Sequence, residues 1–127
     1  MLGAFRYSNN RTVLHRDERL LPRRPAARAS WNYVADPDRG QVAVTYWMNA
    51  LQGLADEDPL LVTLNPRGAL APGTVLHEAA FTHPQFDLGG LAAARAMPTI
   101  QGTQRPYYAG AHLGFGFHED GLRAGIR

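Results

Sequence analysis

The chain has 127 residues, with 13 basic and 11 acidic groups, 13 glycines, nine prolines and no cysteine. This length suits a single domain, and an apolar fraction of 45% is typical of a globular protein rather than a disordered one. The absence of cysteine excludes a disulfide framework, a thiolate metal site and a cysteine nucleophile.

Short strands are predicted through the first half of the chain, where apolar and polar residues alternate between turn residues. Asn9 and Asn10 favour a turn at 8–10, because asparagine tolerates a positive φ. The run Asp36-Pro-Asp-Arg-Gly40 is typical of a turn, so the strands on either side should form a hairpin. The predicted strands are 2–7, 12–15, 29–34, 41–47 and 60–64, and 48–54 should form one or two helical turns.

The second half of the chain is predicted to contain most of the helix. The predicted elements are a strand at 74–81, a helix at 86–97, a strand at 106–111 and a helix at 118–127. Gly89 and Gly90 weaken the start of the first helix. With strands first and helices late, the sequence indicates an α+β fold or a piece of an α/β fold.

The positive charge is concentrated in one connection. All 13 basic residues are arginines, and five of them lie between Arg16 and Arg28 beside two acidic residues. Such a cluster can contact phosphates, or it can be a solvated, proline-containing link. Because no aromatic residue that could stack on a base is interleaved there, we expect no nucleic-acid partner. No run of 18 apolar residues occurs, so we also expect no membrane span and a cytoplasmic location.

Glycines are dense at the C-terminus, where six of the last 26 residues are glycine. A predicted strand, a Gly-x-Gly loop at 114–116 and a helix follow one another. This layout lets a backbone approach a cofactor closely and aims a helix N-terminus at it, although a glycine-rich packing turn has the same pattern. The dinucleotide motif G-x-G-x-x-G would need glycine at position 119, where Glu119 stands. Glu119 and Asp120 would repel a pyrophosphate, so the ligand part facing them should be neutral, such as a flavin ring or sugar hydroxyls.

Two pairs of histidines raise the question of a metal site or of proton transfer. His77 and His83 are two residues too far apart for the H-E-x-x-H zinc motif, and Glu78 should point to the opposite face of its strand, so no metal site is predicted. His112 and His118 flank the glycine loop, where an imidazole can transfer protons or form ordinary hydrogen bonds. No catalytic residue is assigned.

The segment 105–125, with sequence RPYYAGAHLGFGFHEDGLRAG, resembles the C-terminal FAD-contacting segment of the flavin-containing amine oxidase superfamily. In particular it is similar to a bacterial group of predicted NAD/FAD-binding oxidoreductases. Several blocks of that group recur here in the same order, which is more specific than a single glycine loop. These blocks are 13–17, 30–33, 44–49, 62–66, 83–84 and 100–102.

The resemblance implies FAD as cofactor and hydride transfer from a small-molecule substrate to the flavin. The strand 107–111 would run under the flavin, the loop 114–117 would pass its ring, and the helix from His118 would direct N–H groups at its pyrimidine carbonyl. Phe117 would form an aromatic wall. Two departures stand out: Ala111 replaces a common acidic residue, and the chain has no lysine. The implied cofactor-binding residues are Gly110, Ala111, Gly114, Phe115, Gly116, Phe117, His118, Glu119, Asp120, Gly121 and Leu122.

The resemblance also implies a division of the chain. Residues 1–104 would be part of a strand-rich, substrate-side sheet domain. Residues 105–127 would be the closing strand, glycine loop and helix of a two-domain FAD-binding α/β fold, whose N-terminal dinucleotide-binding unit the sequence lacks. We therefore expect the isolated chain to be inactive, with apolar surface uncovered on the sheet and on the 107–111 strand. The alternative is a non-catalytic truncated or split chain that needs a partner carrying the FAD-binding half.

Overall fold

The computed structural model describes residues 1–36, 41–55 and 57–126. The fold is α+β, with one five-stranded sheet and three α-helices within the described residues. The strands are β1 (Arg6–His15), β2 (Trp31–Asp36), β3 (Gln41–Trp47), β4 (Leu61–Leu64) and β5 (Val75–Gln85). The helices are α1 (Met48–Gln52), α2 (Leu88–Ala96) and α3 (His118–Ile126), and short 3-10 helices form at Leu2–Ala4, Glu18–Leu20, Pro25–Ala27, Met97–Thr99 and Ala111–Leu113. None of the described helices is long and apolar enough to cross a bilayer.

The sheet orders its strands β2-β3-β4-β1-β5, so the first strand of the chain lies between the last two. The pairs β2–β3, β3–β4 and β1–β4 are antiparallel. The chain divides into two compact units, Asn9–Phe81 and a second unit that combines Met1–Ser8 with Thr82–Arg127.

The predicted β2–β3 hairpin is confirmed. Trp31 lies opposite Tyr46, and their rings meet edge to face with centroids 5.3 Å apart. Along β3, Ala43 and Thr45 are buried while Val42, Val44 and Tyr46 are partly exposed, as expected for a strand with one buried face. Residues 37–40 of the predicted turn lie outside the described part of the chain.

β2 begins two residues later than predicted, because Asn32 holds the backbone ahead of the strand. The Nδ2 of Asn32 donates to the Ala29 carbonyl at 2.6 Å, and its Oδ1 accepts from the Ala29 N–H at 3.1 Å. These bonds satisfy both backbone groups of Ala29 locally, so Ala29 does not join the ladder.

The prediction of two N-terminal strands with a turn at 8–10 is wrong, since β1 is continuous from Arg6 to His15. β1 is hydrogen-bonded to β5 on one side and β4 on the other, and Asn65, just after β4, extends its pairing on the β4 side. The Asn65 N–H donates to the Arg11 carbonyl at 2.7 Å, and its Oδ1 accepts from the Arg11 N–H at 3.1 Å. Its Nδ2 also donates to Asn10 Oδ1 at 2.8 Å. A side-chain amide thus extends the pairing of β1 beyond the last residue of β4.

The buried face of the sheet carries a polar chain across three strands. The hydroxyls of Thr45 and Thr63, which lie opposite each other, are 2.9 Å apart, and Thr63 Oγ1 lies 2.7 Å from His15 Nε2. His15 Nδ1 accepts the backbone N–H of Asp17 at 3.1 Å, so the proton of the neutral ring is on Nε2 and is donated to Thr63. Burial lowers the pKa of His15, against the opposing effect of the Asp17 charge, so the ring is neutral at pH 7.

The predicted helix 86–97 is confirmed, with α2 running from Leu88 to Ala96. Its N-cap is Asp87, whose Oδ1 accepts the Gly90 N–H at 2.7 Å. This cap offsets the weak helix propensity of the paired glycines. Ala93 and Met97 are buried, with Met97 only 2% exposed.

The predicted strand at 106–111 is wrong, because residues 106–110 join no ladder in the described structure and Ala111 begins a 3-10 helix. The Gln101 side chain makes the hydrogen bonds that a neighbouring strand would otherwise make. Its Oε1 accepts the Tyr108 N–H at 2.7 Å, and its Nε2 donates to the Tyr108 carbonyl at 2.6 Å. Gly102 donates its N–H to the Pro106 carbonyl at 3.0 Å. The Gln101 side chain and the Gly102 N–H therefore satisfy the backbone hydrogen-bonding groups of Pro106 and Tyr108 on one side of the segment.

Candidate functional site

The predicted cofactor-contacting residues form one compact turn followed by α3. The turn is tight because the Ala111 carbonyl accepts the N–H groups of both Gly114, at 3.1 Å, and Gly116, at 3.0 Å. The loop at 114–116 and the start of α3 at His118 are confirmed. The structure brings together Gly110, Ala111, Gly114, Phe115, Gly116, Phe117, His118, Glu119, Asp120, Gly121 and Leu122, as their contiguity requires.

Asp120 holds the glycine loop from the first turn of α3. Its Oδ2 accepts the backbone N–H groups of Phe115 and Phe117, each at 3.0 Å. The N–H groups of Asp120 and Gly121 donate to the Phe117 carbonyl at 3.1 and 3.2 Å. The amides of Phe115 and Phe117, which precede the helix, are therefore bonded to a carboxylate of the chain itself.

Phe115 and Phe117 flank Gly116 in the loop, and Phe86 lies against it. Phe115 and Phe117 are 74% and 62% exposed, although large aromatic side chains are usually covered. Phe86, 48% exposed, lies over Gly116, where a Cβ would stand only 3.0 Å from the Phe86 Cζ. Since Gly116 also has a φ of +88°, both its conformation and its space favour glycine. We call Phe86, Phe115 and Phe117 the aromatic cluster.

Phe86 is the residue of this site that sequence reasoning missed. It stands 30 positions before Gly116 in the sequence, ahead of α2, and no motif links the two. It directly precedes Asp87, the N-cap of α2.

The remaining residues around the loop have structural partners or face solvent. His112 packs edge-on against Phe5 with ring centroids 4.8 Å apart. Glu119 accepts a hydrogen bond from Arg123 Nε at 2.9 Å along the exposed face of α3. His118 and Leu122 are exposed, so the start of α3 presents a polar and an apolar side chain to solvent.

A cavity of about 590 Å³ lies beside the loop, between the C-terminal end of α2, residues 107–109 and α3. Its lining is mostly apolar. Asp120 also lines it, so one residue contacts both the loop and the cavity. Representative lining residues are Ala94, Met97, Tyr108, Leu113, Asp120 and Ala124.

Glu78, between the two histidines considered for a metal site, is engaged in an ion pair. Glu78 accepts Arg11 Nε and Nη2 at 2.6 and 2.8 Å, an ion pair that lowers the pKa of Glu78 and raises that of Arg11. Within the described part of the chain, no three His, Asp or Glu side chains come together as a group that could hold a metal ion.

Three of the five arginines in the connection 16–28 are paired with carboxylates. The ion pairs are Arg16–Asp58 at 2.8 Å, Arg19–Asp17 at 2.6 Å and Arg28–Glu18 at 2.9 Å. This pairing favours the interpretation of a solvated link over that of a phosphate-binding patch.

Comparison of the chain with protein-family models and with curated proteins finds no match.

Proposed function

We propose that this chain is the C-terminal part of an FAD-dependent oxidoreductase of the amine oxidase type, which moves a hydride from a small organic substrate to flavin. The observation that carries the proposal is the exposed aromatic cluster around a glycine loop at the start of α3. The resemblance of segment 105–125 to the flavin-contacting segment of that superfamily supplies the identity of the ligand.

The properties of the site fit a flat, neutral ring. Phe115 and Phe117 offer apolar faces on which an aromatic ring can stack. Gly116 leaves the backbone without a side chain beside Phe86. The carboxylates of Glu119 and Asp120 disfavour a phosphate at this position. We therefore place the isoalloxazine ring, rather than the pyrophosphate, against the cluster.

FAD when bound would supply the hydride acceptor, and the chain would contribute position and surroundings. Phe115 and Phe117 would cover one side of the ring and exclude water from it. The helix macrodipole of α3 would favour negative charge near its N-terminus, which Asp120 already partly compensates.

Lumiflavin, the ring without sugar or phosphate, tests this placement. Quenching of its fluorescence by the chain should be saturable within about 1 mM, a range that detects contacts worth about 4 kcal/mol. Phe117→Ala should weaken binding at least about fivefold, as expected for loss of one stacking contact. Phe81→Ala, which removes a 54% exposed phenylalanine from β5, is the matched control and should change nothing. Absence of saturable quenching, or equal effects of the two variants, would contradict the proposal.

A second candidate function is that of a non-catalytic chain that pairs with a separate FAD-binding chain. The supporting observation is the segment 106–109, which is bonded on one side only. Pro106 and Tyr108 are paired with Gly102 and Gln101, whereas no hydrogen bond joins the backbone of Tyr107 or Ala109 to the described part of the chain. Alternate residues bonded to one side are typical of a strand edge.

Co-purification tests this second candidate. The chain should capture a protein that carries a G-x-G-x-x-G unit, and Ala109→Pro, which removes an N–H from the open edge, should abolish capture. The far-ultraviolet circular dichroism of the variant should stay the same. Flavin turnover by the isolated 127-residue chain would contradict this function.

A further inference from the structure

We infer that Asp120 is the positioning residue of the aromatic cluster: its carboxylate fixes the loop backbone so that Phe115 and Phe117 face a ligand. This inference rests on the proposed function, since the cluster is the surface offered to the flavin ring. It adds a role that the sequence reasoning did not assign, because Asp120 was expected to contact the cofactor directly.

The cap of α3 explains why a carboxylate is needed. Phe117 precedes the first helical residue and has no side-chain oxygen to accept the orphan amides of the first turn. Asp120, three residues later, reaches back to the Phe117 N–H, as the third helical residue of a capping box does. The additional bond to the Phe115 N–H goes beyond a helix cap and reaches into the loop.

Gly114 shows that the fit is close. A Cβ built on Gly114 would stand 2.5 Å from Asp120 Cγ and 2.7 Å from Asp120 Cβ. The Asp120 side chain therefore fills the space that any larger residue at Gly114 would take. Two charge-assisted bonds thus hold the loop backbone, and the close fit leaves no room for a side chain at position 114.

The bonds have a consequence for the ligand. Because the Phe115 and Phe117 amides donate to Asp120, they are not donors for the flavin carbonyl. The loop therefore contributes its aromatic faces, and Asp120 acts on the ligand through the backbone of Phe115 and Phe117.

Amide hydrogen exchange by NMR, combined with lumiflavin binding, tests the inference. In Asp120→Ala, exchange at the Phe115 and Phe117 amides should accelerate about tenfold or more, the loss of one charge-assisted hydrogen bond each, and lumiflavin binding should weaken about fivefold or more. Asp120→Asn retains an acceptor oxygen and should restore part of both effects. Glu57→Ala removes an exposed carboxylate outside the site and is the control; neither measurement should change.

The outcomes separate the inference from the proposed function. Absence of lumiflavin binding in the unmodified chain would refute the proposed function. Unchanged exchange at Phe115 and Phe117 in Asp120→Ala would refute the backbone contact. Faster exchange with unchanged lumiflavin binding would refute the positioning role. If Asp120→Ala loses its helical circular dichroism, the Asp120→Asn variant decides, with exchange and binding both intermediate as the expected result.

Discussion

Replacing His15 with glutamine should remove the contribution of this residue to acid sensitivity between about pH 7.5 and 5.5. His15 is fully buried and neutral, with Nδ1 accepting the Asp17 N–H and Nε2 donating to Thr63. Protonation would turn Nδ1 into a donor that faces the Asp17 N–H, which is also a donor. Glutamine offers one acceptor and one donor in place of the two ring nitrogens, but it does not titrate.

The magnitude follows from proton linkage. Burial lowers the pKa of His15 in the folded chain, so as the pH falls through about 6.5 the unfolded chain binds the proton first. The stability from neutral His15 is thus complete above that pH and declines below it. A single proton limits the decline to about 1.4 kcal/mol per pH unit, so at most about 1.4 kcal/mol is lost by pH 5.5.

Urea unfolding at a series of pH values measures the effect, with the unmodified chain and His15→Gln compared at each pH. The difference in slope isolates His15, because the other four histidines are common to both chains. Thr63→Val provides a second comparison: it should cost about 1–3 kcal/mol at every pH by removing the acceptor, while the pH slope remains. Equal slopes in the unmodified chain and His15→Gln would refute the reasoning.

Three further predictions use the same unfolding measurement. Asn49→Ala should cost about 1–3 kcal/mol, because the buried amide donates to the carbonyls of residues 55 and 58 at 2.5 and 2.9 Å and accepts the N–H of residue 60 at 2.7 Å; Asn9→Ala, on the exposed side of β1, should stay within about 0.5 kcal/mol. Met97→Ala should cost about 2–5 kcal/mol, since Met97 is 2% exposed, whereas Leu88→Ala at 86% exposure should cost less than about 0.5 kcal/mol. Asp17→Asn should lose less stability than the unmodified chain on acidification below about pH 4, because hydrogen bonds from residue 19 hold the pKa of Asp17 far below its usual value.

The parts of the fold that were predictable are those that local pattern determines. The alternation of β3 follows from period-two burial, and the β2–β3 hairpin follows from a proline- and glycine-containing turn sequence. α2 and α3 follow from helical spacing and, for α3, from acidic residues suited to the helix N-terminus.

Three of the errors occur where a side-chain amide replaces a backbone partner. Asn65 extends β1 through a turn that Asn9 and Asn10 favour locally. Asn32 holds Ala29 out of β2, and Gln101 bonds the backbone of Tyr108 in place of a strand. These bonds join residues whose proximity depends on the tertiary fold or on local geometry, so no periodic pattern indicates them.

The backbone of the candidate site was predictable to a similar extent. The loop at 114–116 and the start of α3 could be placed from the glycine spacing alone. The partner of Gly116, Phe86, could not, because its contact depends on where α2 begins. The bonds from the loop to Asp120 were missed for another reason: acidic residues in a first helical turn usually indicate only a favourable dipole interaction.

The position of β1 in the sheet has a consequence for the order in which the chain folds. β1 is complete at His15, but its partner β4 begins only at Leu61, so closing this pair needs a loop of more than 40 residues. The β2–β3 hairpin needs only a short loop and should form first, followed by β4 on β3. During synthesis at about 5–20 residues per second, β1 is therefore made seconds before β4 and stays unpaired in that interval. Its asparagines and arginines keep the unpaired strand hydrated and reduce its tendency to pair with other chains.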